Sequence, residues 1–288
     1  MEISDYLCKF ESKIIKVGYL KYIYQIDMIS KDNWKEADLN VDSLWIIDER
    51  DKTGKHANVY HGNFIPQIPN QLIRRYTVKN DTVLELFSGG GTTLFECEQL
   101  QRNYIGFDIN KQIINYVKEK MKDCESIKYS VCDCDVTDPA QFQQIAEAAF
   151  KSHCIQQADF MIAHPPYLDI IKFTQDKRDL SQIANLDDFI EKLTQAFRNS
   201  LSFLKQGKYF AVVAGDIYRQ SEVVPLAFYI MDAIKRTFNV KMKGIIIKNI
   251  EGNKGKLGVQ DIWKYRALQS DYFLFKHEYI FVFKKLDP

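Results

Sequence analysis

Residues 83–93 read Val83-Leu84-Glu85-Leu86-Phe87-Ser88-Gly89-Gly90-Gly91-Thr92-Thr93, a short apolar run closed by three glycines and two threonines. A run of this length bounded by a turn signal predicts a buried strand, and Thr92 to Leu100 predicts the helix that follows it. Glycines at the turn let a ligand approach the backbone closely.

Working outward, Tyr104 to Ile109 predicts a second strand, and Ile113, Ile114, Val117 and Met121 mark one face of a helix. Ile127 to Val131 predicts a third strand. Thr137-Asp138-Pro139 is a helix start, a capping oxygen before a proline that needs no partner in the first turn, and that helix runs to about Lys151. Ala158 to Ala163 is the fourth strand, and it runs into His164-Pro165-Pro166-Tyr167. After a polar stretch to Asn185, Phe189, Leu193, Phe197, Leu201 and Leu204 recur at helical spacing, with Gly207 as the expected stop. Tyr209 to Ala214, Val240 to Ile247 and Tyr279 to Phe283 are the later strands, and Val224 to Phe238 is a helix. This alternation predicts an α/β fold, a mostly parallel sheet with helices on both faces. Ligands of such sheets sit at the carboxyl ends of the strands, where the glycine turn and the Pro-Pro segment both fall.

With 288 residues and 46% hydrophobic side chains, the chain can bury a substantial core. No apolar stretch is long enough to cross a bilayer and Met1-Glu2-Ile3-Ser4-Asp5 lacks a secretory pattern, so the expected location is cytoplasmic, with no membrane partner. Thirty-nine basic against thirty-eight acidic residues exclude a molecule that attracts nucleic acid by overall charge; phosphate contacts must come from local patches. Of Cys8, Cys97, Cys124, Cys132, Cys134 and Cys154, only Cys132 and Cys134 lie close together, and their spacing is not a usual zinc spacing. Reduced, structural thiols are expected, and no metal.

The glycine turn departs from the dinucleotide pattern and suits a methionine-derived sulfonium cofactor, whose two ends need close backbone approach. Asp108, ending the second strand, is placed to accept from ribose hydroxyls, the alternative being that Asp108 or Asn110 caps the next helix. Asp133 is a candidate for an adenine amino group, with Asp135 beside it as a rival. His164-Pro165-Pro166-Tyr167 suits a planar amine. An exocyclic amino group is a poor nucleophile because its lone pair is delocalised, so both its hydrogens must be drawn toward acceptors. Pro165 offers a backbone carbonyl held in a stiff segment, the residue before it a side-chain acceptor, and Tyr167 a ring to stack on an extruded base.

On these residues the chain resembles the amino-group DNA methyltransferases that use S-adenosyl-L-methionine and act on adenine N6 or cytosine N4. The turn is similar to their cofactor motif, with Glu85, Phe87, Ser88, Gly89, Gly91, Thr92 and Thr93 in its places. Tyr60-His61-Gly62-Asn63-Phe64-Ile65-Pro66-Gln67-Ile68-Pro69 with Leu72-Ile73-Arg74-Arg75-Tyr76 resembles the segment that closes over the methionine end, which implies Phe64 and Pro66 as cofactor contacts. His277-Glu278-Tyr279-Ile280-Phe281-Val282-Phe283 resembles the family's late strand. The resemblance spans about residues 58–283 and implies a Rossmann-like methyltransferase fold with an antiparallel late strand, residues 1–57 being an extension packed on it. Within that extension, Lys13 to Ile26 interleaves Lys and Tyr with aliphatics and reads as a packed strand or helix, a nucleic-acid-facing arm or an interface.

Two features depart from the family. Where Asp, Asn or Ser is usual stands His164, which accepts only when neutral and through one ring nitrogen, so turnover is expected to fall as pH drops through about 6.5. No large recognition domain is apparent either. Reading of double-stranded DNA is therefore expected from two segments, 168–185 with Lys172, Lys177 and Arg178, and 248–272 with Lys248, Lys254, Lys256, Lys264 and Arg266. Gly252, Gly255 and Gly258 give the second the character of a loop, which either tracks phosphates or is merely solvated. A homodimer or a separate specificity subunit would enlarge this reading surface. The competing readings are the same chemistry on RNA or on a side-chain amide, and a catalytically silent nucleic-acid-binding subunit.

Overall fold

A computed structural model of the chain describes residues 33–56, 62–250 and 260–287. Every predicted strand forms, Ala158–Ala163 with the predicted bounds and the one expected from Tyr209 beginning already at Leu204, and three short strands are added to them. They are β1 (Leu44–Trp45), β2 (Thr82–Glu85), β3 (Asn103–Asp108), β4 (Tyr129–Asp133), β5 (Ala158–Ala163), β6 (Leu204–Ala214), the short hairpin β7 (Ile217–Arg219) and β8 (Glu222–Val224), β9 (Val240–Asn249) and β10 (His277–Lys285). The helices are α1 (Gln67–Tyr76), α2 (Thr92–Leu100), α3 (Lys111–Met121), α4 (Pro139–Ser152), α5 (Leu186–Leu201), α6 (Leu226–Thr237) and α7 (Gln260–Gln269). Residues 40–288 form one compact unit, and residues 1–39 group separately.

Eight strands make the main sheet in the order β1-β9-β10-β6-β5-β2-β3-β4, all parallel except β10, which runs against both β9 and β6. The expected antiparallel late strand is thus present, and β1 joins the sheet edge from within the residues read as an extension. Strand alternation divides the core between two layers. Leu84, Ile105, Phe107, Met161, Phe210 and Phe281 face one side, where Phe142 and Phe150 of α4, Phe189, Leu193 and Phe197 of α5, and Ile230 of α6 cover them. Val83, Tyr104, Phe160, Ile162, Val213 and Ile280 face the other, under Leu72 of α1, Leu94 of α2 and Val117 of α3. Burying each such side chain stabilises the fold by about 1.5–3 kcal/mol, which is why strands covered on both faces read as unbroken apolar runs.

Local capping follows the sequence. The Asp138 side chain accepts from the backbone N–H groups of Ala140 and Gln141 ahead of Pro139, and Asn110 does the same for Gln112 and Ile113 at the start of α3. Two expectations are corrected. Gly207 does not end a helix: α5 stops at Leu201, and Gly207 sits inside β6 at φ 72°, a left-handed conformation only glycine adopts cheaply. Residues 260–269, expected as part of a loop, are the helix α7, built largely from good helix formers after the glycines have ended.

Chain order leaves β2 and its successors running one way across the sheet and β5 and β6 the other, so the sheet reverses between β2 and β5. Such a switch point opens a crevice at the carboxyl ends of its two strands.

Candidate active site

The glycine turn leaves β2 and the Pro-Pro segment leaves β5, adjacent parallel strands in which Glu85 is opposite Ile162 and Leu86 N–H donates to the Ile162 carbonyl at 3.3 Å. Two separated motifs are thereby delivered to one rim. Residues 62–66 bridge them. The Asn63 side-chain oxygen accepts from Gly90 N–H at 3.2 Å, and the Phe64 ring lies 5.1 Å from the His164 ring, centre to centre. Pro66 is buried at the start of α1.

The turn is held by its neighbours in the sheet. Ser88 N–H donates to the Phe107 carbonyl at 2.9 Å, and Gly89 N–H donates to Asp108 at 2.7 Å. Gly91 takes φ 81° as the first residue before α2, and a Cβ there would meet Phe95 and Val117 at 3.1 Å. Beneath the turn lies Glu85, 1% exposed, accepting from Thr93 Oγ1 and Tyr104 Oη, each at 2.5 Å. Burial pushes its carboxyl up to about 8 against the pull of those two donors. Glu85 and Thr93, both read as cofactor contacts, are therefore spent on each other below the turn; Thr92 is buried too, and Phe87 packs on the core. The Tyr104 hydroxyl, which sequence reasoning missed, reaches Glu85 across Gly106, where a Cβ would fall 2.2 Å from it.

Asp108 ends β3 and is the register partner of Asp133, which ends β4, so the two carboxylates share the rim. Asp108 also accepts from Asn110 N–H at 2.8 Å, and burial raises its carboxyl to about 6 despite these donors. Of the two rival acidic residues, Asp135 accepts from the Thr137 N–H at 2.9 Å and from its hydroxyl at 2.8 Å, whereas Asp133 lies 3.3 Å from the exposed Lys111 ammonium.

His164 is half-buried, and its Nε2 lies 3.1 Å from the Tyr167 hydroxyl, the two rings edge to face. Burial lowers the His164 pKa below the ordinary histidine value, with Glu278 pulling it back up. Pro165 is buried. The Tyr167 ring packs on Gly215 after β6, where a Cβ would approach it to 3.0 Å, and Leu168 follows at φ 56° while almost wholly buried. A leucine in the left-handed region stores strain, and tight packing holds it there.

The basic residues separate into groups. Lys172, Lys177 and Arg178 are exposed on the 168–185 segment, with Arg178 paired to Asp176 at 2.6 Å. That segment is braced from within by buried Asp179, which accepts from Thr174 N–H, Thr174 Oγ1 and Ser181 N–H. Lys264 and Arg266 are exposed on α7, and Lys254 and Lys256 lie outside the described residues. Lys248 is a correction. It stands in β9, not in a loop, 4% exposed and paired with Glu278 of β10 at 3.1 Å, so it is not a surface cation for phosphates. Among the described residues no three His, Cys, Asp or Glu converge as metal ligands and no helix is long and apolar enough to cross a membrane.

A reversing parallel sheet with a glycine turn and paired terminal carboxylates at its rim defines a Rossmann-like methyltransferase domain. Comparison agrees: a family model described as a methyltransferase domain matches residues 77–264, and one described as DNA methylase matches residues 8–119. The chain belongs to the methyltransferase-domain family, and its resemblance to the amino-group DNA methyltransferases is borne out. Type II methyltransferase M.MjaI of Methanocaldococcus jannaschii is 30% identical over 102 residues, 35% of this chain and 32% of the relative. Type II methyltransferase M.HpaI of Haemophilus parainfluenzae is 37% identical over 133 residues, 41% of this chain and 42% of the relative. This chain thus matches about a third of the first relative's length and well under half of the second's. Among solved structures, TrmN from Thermus thermophilus aligns with TM-score 0.49 and 13% identity, covering 78% of this chain and 50% of that one.

The residues fit the family's cofactor, S-adenosylmethionine. Ser88 Oγ at the turn is buried with no hydrogen-bond partner among the described residues, and a buried hydroxyl left so is costly unless a ligand meets it. Asp108 and Asp133 supply acceptors of the kind that ribose hydroxyls and an adenine amino group require.

Proposed function

We propose that this chain methylates the exocyclic amino group of adenine or cytosine in double-stranded DNA, with the base swung out of the helix. The observation that carries the reading is the delivery of the glycine turn and His164-Pro165-Pro166-Tyr167 to one crevice from adjacent strands, with Phe64 lying on His164.

S-adenosylmethionine, when bound, supplies a methyl group activated by its positive sulfur. Ser88, Gly89, Gly91, Asp108 and Asp133 would hold it, with Phe64 and Pro66 on the methionine side, and Glu85, Thr93 and Tyr104 keep the turn in shape. The protein's chemical task is at the amine. The His164 ring nitrogen and the Pro165 carbonyl each draw one amino hydrogen, which returns lone-pair density to the nitrogen that attacks. Tyr167 supplies a ring against the base, and the surrounding apolar side chains limit water. One amino proton must then leave, and neutral His164 is the adjacent base to receive it.

Lys172, Lys177, Arg178, Lys264 and Arg266 are the proposed phosphate contacts, worth more at low salt than at high. A homodimer or a specificity subunit is the proposed source of further reading surface.

The test is incubation with methyl-labelled S-adenosylmethionine and plasmid DNA, followed by nuclease digestion and mass spectrometry of the nucleosides. N6-methyladenine or N4-methylcytosine is expected. Loss of label in Gly89→Arg and His164→Ala would support the site, and label entering only tRNA or protein would move the substrate class. Cofactor binding without transfer to any polymer would favour the silent-subunit reading.

A further inference from the structure

Residues 47–51 lie in the part of the chain read from sequence as a packed extension, yet they meet the segment that joins the two halves of the crevice. Two side-chain amides hold their backbone. Asn249 of β9 accepts from Ile47 N–H at 2.8 Å and donates to the Ile47 carbonyl at 3.2 Å. Gln67, the first residue of α1, donates to the Glu49 carbonyl at 2.7 Å and accepts from Asp51 N–H at 3.3 Å. The chain is thereby fixed on either side of Arg50.

Arg50 Nη1 carries two hydrogens, and it lies 2.8 Å from the Phe64 carbonyl and 3.4 Å from the Asn63 carbonyl. Neither residue belongs to a helix or a strand, so no ladder pairs these carbonyls, and a carbonyl left alone away from water is costly. A cationic donor makes a stronger bond to such a group than a neutral one does. The side chains of the same two residues meet opposite halves of the site. Asn63 accepts from Gly90 N–H at 3.2 Å and lies so close that a Cβ on Gly90 would fall 2.5 Å from its amide nitrogen, while Phe64 lies on His164.

We infer that Arg50 is a positioning residue for both halves of the site: by pinning the backbone of residues 63 and 64 it keeps Asn63 on the glycine turn and Phe64 on His164. This rests on the proposed function for the reaction it serves, while its effect on the cofactor turn needs no knowledge of the methyl acceptor. The setting of the guanidinium fits such a role better than a stabilising one. Burial lowers the Arg50 pKa, with Asp51 pulling it back up, and its Nε is buried with no hydrogen-bond partner among the described residues. A charge taken partly out of water with one donor unmet is a cost, and it is better explained by what it holds than by what it adds to stability.

The test is made on the full chain. Arg50→Met keeps an apolar stem but donates to neither carbonyl. Single-turnover methyl transfer should fall on the order of 100-fold, the loss that a small misplacement of reacting groups can bring, and S-adenosylmethionine should bind more weakly by equilibrium dialysis. Two double-mutant cycles separate positioning from general destabilisation. With Phe64→Leu already present, Arg50→Met should cost much less transfer rate than it does in wild type, because the ring it positions is gone. With Asn63→Ala present, it should cost much less cofactor affinity. A guanidinium that only stabilises the fold would lower rate and affinity by the same factor in every background, and that additivity would overturn the inference, as would wild-type rate and affinity in Arg50→Met. Arg50→Lys keeps a donor for both carbonyls and should recover part of each loss, and it carries the same cycles if the methionine variant does not fold. A wild-type chain that methylates no nucleic acid would overturn the proposed function instead, and the dialysis cycle with Asn63→Ala would still decide the role of Arg50.

Discussion

Phe64 lies against His164 with ring centres 5.1 Å apart, and Phe64 arrives from a segment preceding α1 while His164 directly follows β5. The contact links the part of the chain assigned to the cofactor with the part assigned to the amine, and it helps exclude water from the imidazole. Phe64→Ala should remove both effects. A buried Phe→Ala change costs about 3–5 kcal/mol where the site cannot collapse, so thermal melting should drop by several degrees. Phe64→Leu keeps most of the apolar volume and should restore the melt but not the full transfer rate. Equal rates in Phe64→Leu and wild type would show that the aromatic ring has no part in the site.

Burial lowers the His164 pKa, which revises the pH expectation read from sequence. The acceptor must be neutral, and a depressed pKa keeps it neutral further into acid. The rate of methyl transfer should therefore stay level through about pH 6.5 and fall only below the ordinary histidine value. A pH–rate profile in single turnover checks this, and His164→Asn, whose amide oxygen accepts at every pH, should lack the acid limb. An inflection above about pH 6.5 would mean that solvent and Glu278 outweigh burial at this ring.

Much of this site was legible in the sequence, because strands covered on both faces announce themselves as apolar runs and the two motifs close those runs. Asp138 and Asn110 could be read as caps from local chemistry alone. Lys248 could not. A lysine among basic residues and glycines reads as surface, and only the register of β9 on β10 sets it opposite Glu278, thirty residues on. Helix α1 was not predicted, since Pro66 and Pro69 interrupt its helical spacing, although they stand at its N-cap and in its first turn, where proline is well tolerated. Glu85 was legible as a motif position but not as a buried group, since its partners Thr93 and Tyr104 come together only when α2 and β3 fold back beside β2.

Gly91→Ala tests the turn itself. The residue stands at φ 81° with Phe95 and Val117 only 3.1 Å from where a Cβ would lie. The left-handed conformation alone costs about 1–2 kcal/mol for a residue with a Cβ, and the contacts require both neighbours to give way. The variant should melt lower and bind S-adenosylmethionine more weakly by equilibrium dialysis, because the backbone groups of the turn move with it. Unchanged affinity in a destabilised protein would separate the turn's structural role from cofactor binding.

Glu85 gives the pH dependence of stability a definite sign. Its folded-state pKa is about 8, against about 4.3 for a free glutamate. Between these values the folded chain holds more protons than the unfolded chain, so the contribution is complete below about pH 4.3 and lost as pH rises through about 8. Asp108, raised to about 6, acts in the same direction over the lower part of that window. Urea unfolding should thus show stability falling from pH 6 to pH 9. In Glu85→Gln the fall should flatten, because the amide does not ionise and can still meet the Thr93 and Tyr104 hydroxyls. Gly106→Ala should act through the same contact at any pH, since its Cβ would occupy the place of the Tyr104 hydroxyl. A wild-type stability that rises across this range would show that Glu85 is ionised in the folded protein and held so by its two donors.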